Sequence, residues 1–286
     1  MGKPAGMTGA KCLAGVPAFM NRRFRYLVAT TTLFVFATIL LGVATKSYGA
    51  GLACQARWPV CDGGLLNLFP ESFPSFFEWI HRVVAGVGGV FIVGAALQGW
   101  RLEAPDGVKY ALTIGAVLTP LQVLLGQQTV VNFTFPILSA HFWTAFTIFG
   151  AFAYVLVRTW QESIQTVHVK GAAIAAVVLF AFQVLLTPPF ISSYTPVIQT
   201  LQYAVLLTLV LCVLVLVVGR RQLARAYQFT PVVALATLPV AVYLSRHLLA
   251  ASTVQQVVYG LVSSVVFGAL LLTAFSVRGL EPSLEL

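Results

Sequence analysis

The sequence contains few charged residues. Asp, Glu, Lys and Arg make up only 9% of the 286-residue chain, whereas hydrophobic residues make up 59%. A water-soluble domain ordinarily has about a quarter of its residues charged, and so few charges could not cover the surface of a soluble protein of this length. The surface must therefore face lipid, which predicts an integral membrane protein.

Acidic residues are especially scarce, which leaves a net charge of +9. Such an excess would suit nucleic acid if the cations formed one patch. They lie instead in short clusters between apolar stretches, as topology signals do in membrane proteins. Nucleic acid is therefore excluded as a partner, and membrane lipid is expected to surround the chain.

Eight apolar stretches are long enough, or nearly so, to cross a bilayer, which takes about 20 residues. They lie at about 24–45, 77–98, 109–131, 137–157, 170–187, 197–218, 230–247 and 254–276. If the N-terminus is cytoplasmic, thirteen of the 17 Lys and Arg residues fall on the cytoplasmic side and three outside. The positive-inside rule therefore predicts cytoplasmic N- and C-termini in the cell membrane.

The two halves of the chain have similar helix lengths and spacing. This predicts an all-α fold of eight transmembrane helices, arranged as two parallel four-helix-bundle repeats. The expected units are a cytoplasmic tail at 1–23, a first bundle at 24–160 and a second bundle at 161–286. Each unit has an even number of helices, so both start on the same side and their symmetry axis should follow the membrane normal.

Histidine is also scarce, with four residues in the chain, and two of them hold matching positions. His81 lies about one turn into the second predicted helix, and His141 about one turn into the fourth. Both rings are therefore expected at one depth, near the outer face. Ionisable groups inside a membrane are costly and usually functional, and two matched histidines suit axial ligation of a haem iron. The competing interpretation is a polar contact between helices.

The residues around His81 extend this candidate site. Glu78, on the same helix face, could orient the histidine or act on a bound ligand, or simply favour a helix start. Arg82 could pair with a haem propionate or extend to the membrane interface. Ala85 and Gly88 leave space either for a porphyrin or for close helix packing.

Two of the four cysteines share the long loop between the first two predicted helices. Cys54 and Cys61 fall on the predicted outer side, where the compartment is oxidising and disulfides form. We expect a disulfide that holds this loop over the haem site. Their spacing differs from the C-x-x-C of thioredoxin-like motifs, so a redox role is the less favoured alternative. Cys12 and Cys212 are expected to be free thiols.

Together these motifs resemble the haem A synthase family. The shared features are the outer-loop cysteine pair around Trp58-Pro59, Glu-x-x-His-Arg at 78–82, Leu-Gly-x-x-Thr-Val at 125–130 and the histidine at 141. The resemblance implies an oxidoreductase that converts a methyl group of haem O to the formyl group of haem A for cytochrome oxidase biogenesis. It also implies two partners, a farnesyltransferase that supplies haem O and the cytochrome oxidase assembly pathway.

The resemblance further implies roles for individual residues. His81 and His141 would hold the haem iron, with Arg82 beside the porphyrin and Glu78 stabilising positive charge or moving protons. The methyl group would be hydroxylated successively and then lose water. An iron held by two histidines has no open position, so either one histidine leaves, or electrons depart through the iron and water supplies the oxygen.

The second half departs from the family pattern, which repeats the histidine pair around a permanent haem b. Gln199-Thr200-Leu201-Gln202 stands in place of Glu-x-x-His, and Tyr259 stands opposite His141. Glutamine and tyrosine are poor or occasional iron ligands. We therefore expect one haem per chain, with the second half as a scaffold or as the surface of a homo-oligomer. His247, at the outer end of the seventh helix, is the one other candidate ligand there.

Two other function classes use the same residues. A membrane b-type cytochrome, carrying electrons between quinol and a partner, would bind haem b through His81 and His141. A thiol–quinone oxidoreductase would work through Cys54 and Cys61. The identity of the bound porphyrin would distinguish the cytochrome from a haem A synthase. Loss of activity on replacement of both cysteines, with haem occupancy unchanged, would identify the thiol–quinone oxidoreductase.

Overall fold

Eight long helices make up most of the described part of the chain, which comprises residues 21–52, 58, 72–191, 193–246 and 252–278 of the computed structural model. They are α1 (Arg22–Ser47), α2 (Phe73–Arg101), α3 (Asp106–Val131), α4 (Phe135–Thr159), α5 (Thr166–Leu185), α6 (Pro196–Val218), α7 (Thr230–Arg246) and α8 (Thr253–Arg278). All eight are long and apolar enough to cross a membrane, α7 together with the short 3₁₀ turn before it. The predicted number of spans is therefore confirmed, and no strand occurs among the described residues.

Capping residues explain why α2 begins earlier than its apolar run. The Ser72 hydroxyl accepts a hydrogen bond from the amide of Ser75 at 3.2 Å, and Pro74 follows in the first turn, where proline is favourable. The helix therefore begins at Phe73 instead of the predicted residue 77. As a result, His81 lies about two turns into α2, and the sequence-based position of about one turn is wrong.

The two histidines lie at similar distances from the first residues of their helices. His81 lies eight residues after Phe73, the first residue of α2, which is about 12 Å along a helix axis. His141 lies six residues after Phe135, the first residue of α4, which is about 9 Å. These two distances differ by about 3 Å, which is less than one helical turn, and a common depth of the two rings in the membrane stays a prediction.

The helices of each half close into a ring of neighbours. In the first half α1 contacts α2, α2 contacts α3, α3 contacts α4, and α4 returns to α1; the second half shows the same order from α5 to α8. The main contacts between the halves join α6 to α1 and α4. The parallel repeat, the domain limits and the cytoplasmic location of the termini stay predictions.

Two buried threonines hold α1 between the helices that carry the histidines. Both hydroxyls donate within α1, Thr31 to the carbonyl of Leu27 at 2.7 Å and Thr32 to that of Val28 at 2.8 Å. They also approach the carbonyls of Phe91 in α2 at 3.4 Å and Phe152 in α4 at 3.3 Å. In lipid, where helices gain little from apolar burial against one another, such bonds and close packing hold them together. They fix α1 as the wall between α2 and α4.

Candidate haem-binding site

The structure brings His81 of α2 and His141 of α4 close enough to interact electrostatically. Both side chains are half-buried. Their Nδ1 atoms are shielded from solvent and have no hydrogen-bond partner among the described residues. A shielded polar atom without a partner costs about 1–3 kcal/mol, and a bound group that met it would remove this cost.

Each histidine ring lies against a glycine of the preceding helix. A Cβ added to Gly42 of α1 would lie 3.0 Å from Cε1 of His81, and one added to Gly126 of α3 would lie 3.2 Å from Cε1 of His141. Both distances are too short for comfortable contact, so only glycine leaves these rings where they are. The missing side chains thus make room for two imidazoles in a bundle that would otherwise exclude them.

Neighbouring helices also hold the two rings by polar contacts. The His81 ring lies beside the main chain of Thr38 in α1, and Nε2 of His141 lies 3.3 Å from Nε2 of Gln122 in α3. A hydrogen bond to one nitrogen fixes the tautomer and aims the other nitrogen, as commonly occurs for histidines that bind metals. Each ring is therefore positioned by the helix that precedes its own.

A buried ion pair lies one turn from His81. The Glu78 side chain is 6% exposed, and its Oε1 accepts a hydrogen bond from Nε of Arg82 at 2.9 Å. Removing one member of such a pair would leave an uncompensated charge away from water. The structure thus gives Glu78 a direct partner in Arg82, while the roles of Glu78 at a ligand and of Arg82 at a propionate stay predictions.

Gly88 serves helix packing. It is buried, and an added Cβ would lie 3.4 Å from Cβ of Phe34 in α1. The sequence allowed either space for a porphyrin or close helix packing at Gly88. The contact with Phe34 supports close packing of α1 and α2. Ala85 is half-buried.

Gln202 of α6 is the residue that the predicted repeat aligns with His81. The Tyr194 hydroxyl donates to Oε1 of the buried Gln202, and Nε2 of Gln202 donates to the carbonyl of Gln183 in α5 at 3.4 Å. His81 likewise lies beside the main chain of α1. The amide is thus engaged with protein groups on both of its polar atoms.

Side chains fill the space around Gln202. Leu206 and Leu209 are 1% and 0% exposed. Tyr259 of α8 is buried and lies close to Thr187 and Ser263. The expectation that this half has lost its haem site stays a prediction.

Several predicted residues lie outside the described part of the chain. These are Cys12, Cys54, Cys61 and His247. The disulfide and its position over the site therefore stay predictions. Cys212 is a half-buried free thiol of α6, as predicted.

Three residues that position the histidines were not identified from the sequence. Thr38 and Gln122 resemble the ordinary polar residues of a membrane helix, and nothing in the sequence marks them. Gly42 did leave a signal, since a glycine inside a helical pattern usually has a packing or functional reason. Gly126 belongs to the motif at 125–130, but its contact with His141 could not be read from spacing.

Comparison with known proteins places this site in a family. The sequence model of the cytochrome oxidase assembly protein family (COX15-CtaA) matches residues 25–188, more than half of the chain and all of the site described above. A protein named heme A synthase from Bacillus pumilus is 30% identical over 176 residues, covering 59% of this chain and 56% of the relative. Its counterpart from Bacillus licheniformis is 31% identical over 114 residues, covering 39% and 37%.

A relative with another name matches as well. A protein named protoheme IX farnesyltransferase from Haloarcula marismortui is 34% identical over 146 residues, which is 51% of this chain but 30% of that protein. The chain thus spans between about a third and about half of the length of these relatives. From the matched family model and the heme A synthase relatives, the chain belongs to the cytochrome oxidase assembly protein family, which includes the haem A synthases.

Proposed function

We propose that the protein is a haem A synthase that oxidises a ring methyl group of haem O to the formyl group of haem A. The observation that carries the proposal is the pair His81 and His141, brought together from two helices with a glycine against each ring. Two imidazoles at one depth fit a metalloporphyrin that lies between them. The heme A synthase relatives support the same assignment.

The substrate is itself the haem, so the first task of the chain is to orient it. His81 and His141 would bind the iron from opposite faces, while the contacts to Thr38 and Gln122 keep both rings from turning. Iron held in this way supplies an electron acceptor conjugated to the ring that is oxidised. Fixed imidazoles would therefore set the position and tilt of the porphyrin beside Glu78.

Glu78 would accept protons as the methyl group is oxidised. If water supplies the oxygen, conversion of a methyl to a formyl group releases protons and electrons in equal number; the electrons would leave through the iron to an external electron acceptor, and a proton acceptor at the site aids each step. The Arg82 guanidinium, 2.9 Å from the carboxylate, fixes the position of this side chain. In the proposed mechanism Glu78 is the catalytic residue and Arg82 positions it.

Supply of the substrate fits a membrane location. Haem O carries a long isoprenoid chain, and the eight candidate spans place the protein where such a molecule dissolves. A relative named protoheme IX farnesyltransferase supports a farnesylating enzyme as the partner that delivers it. We place the site toward the outer face of the cell membrane, because the excess of cations at the opposite helix ends favours those ends in the cytoplasm.

Analysis of the bound pigment tests this function. The protein should be produced in cells that make haem O and lack another haem A synthase, and its porphyrins extracted and identified by mass. We expect haem A with the wild-type chain, no haem A for His81→Ala, and little haem A with a retained haem spectrum for Glu78→Gln. His168→Ala is the control, since His168 is exposed at the start of α5.

Haem b as the sole pigment, despite a supply of haem O, would contradict the proposal. It would favour the b-type cytochrome, which uses the same two histidines. Unchanged haem A production by His81→Ala would contradict the assignment of the site while leaving the activity in place.

A further inference from the structure

Two cations lie at the outer rim of the histidine site, and neither belongs to the motifs that the sequence revealed. The first is Lys46, in the last turn of α1. It lies four residues after Gly42, and residues at that spacing share a helix face. Because Gly42 faces His81, Lys46 lies one turn beyond this ring.

The second cation comes from the other half of the molecule. Arg246 is the last residue of α7, and its guanidinium carbon lies 3.9 Å from the centroid of the Phe142 ring in α4. Arg246 also donates a hydrogen bond to the hydroxyl of Tyr203 in α6. Phe142 directly follows His141 in α4, so the second half brings a positive charge to the residue that neighbours the second histidine in the chain.

Lys46 and Arg246 lie near each other at this end of the bundle. Lys46 and Arg246 are close enough to repel one another, and among the described residues neither has a carboxylate within ion-pair distance. Like charges held together at the edge of an apolar region are unfavourable unless an anion joins them. Phe142 and Tyr203 keep the guanidinium in place through cation–π and hydrogen-bond contacts.

We propose that Lys46 and Arg246 bind the two carboxylate groups of the porphyrin that lies between His81 and His141. The inference rests on the proposed function, because it takes a haem as the ligand. A haem carries its two propionates on one edge, and one cation beside each histidine matches that arrangement. Arg82 is less available for this task, since its Nε is already bound to Glu78. The second half thereby completes a site whose iron ligands all come from the first.

The chemistry suits the two side chains. A guanidinium can hold a carboxylate through two parallel hydrogen bonds, whereas an ammonium acts as a compact charge on a flexible stem. Arg246 would therefore fix one propionate in a defined direction, and Lys46 would adjust to the other. Such a clamp sets the rotation of the macrocycle about the axis through its iron, and with it the methyl group presented to Glu78.

Esterified haem provides a direct test. Purified apoprotein would be titrated with iron protoporphyrin IX and with its dimethyl ester, which keeps the iron but lacks the carboxylates. We expect the wild type to bind the free acid at least about tenfold more tightly than the ester, as for charge-assisted hydrogen bonds. In the double variant Lys46→Met with Arg246→Met the two affinities should converge, while the ester still gives a low-spin spectrum because both histidines remain.

Two further variants separate binding from folding. Arg246→Lys keeps a cation and should keep part of the preference for the free acid, whereas Arg221→Met, in the short turn after α6 at the other end of that helix, should keep all of it. The inference is overturned if the wild type does not distinguish acid from ester, or if the double variant loses affinity for both equally. A wild type that binds neither porphyrin overturns the proposed function together with this inference.

Discussion

At the residue scale, the candidate site depends on how little room surrounds each imidazole. Gly42 and Gly126 bring the backbones of α1 and α3 against the rings of His81 and His141. A ring in contact with a helix backbone cannot rotate away when a ligand arrives. We infer that the bundle is prepared for the porphyrin before it binds, which limits the cost of ordering on binding.

Replacement of either histidine should remove the haem site. We expect His81→Ala and His141→Ala to lose the low-spin haem absorption, because one remaining imidazole leaves an axial position of the iron open. Visible spectra of the purified variants measure this loss, with His168→Ala as the control on an exposed histidine. Wild-type spectra from both single variants would show that the iron is bound elsewhere.

A single methyl group at Gly126 should disturb the site. Gly126→Ala places a Cβ 3.2 Å from Cε1 of His141, and overpacking of this kind costs about 1–3 kcal/mol. We expect weaker haem binding and a lower unfolding temperature, measured by haem titration and thermal scans.

Gly150→Ala is the matched control for that variant. Gly150 also lies within a helix, α4, and a Cβ there would meet nothing within 4 Å. Since alanine favours a helix by about 1 kcal/mol over glycine, this control should be neutral or stabilising. Equal behaviour of the two variants would mean that the His141 ring moves aside without cost.

At the element scale, the sequence predicts the helices well because apolar length is a local property. The runs at about 109–131 and 197–218 end within a few residues of α3 and α6. The predicted start of α2, at about residue 77, is later than the observed start at Phe73. Apolar length alone leaves Phe73 and Pro74 in the loop, although proline is favourable in a first turn.

Contacts between elements could not be predicted in the same way. Histidines stand out in an apolar helix because they are costly there, and so His81 and His141 could be found from sequence alone. Gly88 and Gly42 look alike in the sequence, yet one packs against Phe34 and the other faces His81. That difference depends on how α1 and α2 are rotated about their axes, which a chain of mostly apolar residues does not encode locally.

The loop between α1 and α2 carries a further prediction. We expect Cys54 and Cys61 to form a disulfide when the protein is made with an oxidising outer compartment. Alkylation without reductant, followed by mass analysis of peptides, should find both residues unmodified until reductant is added. Two alkylated thiols in the untreated protein would contradict the prediction, with Cys212 as an internal control for a free thiol.

At the scale of the whole molecule, the two halves share an order of helix contacts but differ in chemistry. Where the first half holds His81, the second holds Gln202, whose amide is engaged by Tyr194 and by the carbonyl of Gln183. Helix α6 of the second half contacts α1 and α4. In the proposed arrangement, Arg246 of the second half lies at the rim of the His81–His141 site. A second half without its own histidine pair can thus still contribute residues to the site in the first half.

This asymmetry predicts the number of haems. One haem per chain is expected, because Leu206 and Leu209 occupy the space below Gln202 and the glutamine amide is already hydrogen-bonded. Glutamine is also a poor ligand for haem iron. Iron and porphyrin quantified against protein should therefore give a ratio near one. His247, which follows Arg246 directly, is the residue that could restore a second site. A ratio near two in the wild type, falling to one in His247→Ala while the His81-dependent spectrum persists, would show that the second half binds a haem of its own.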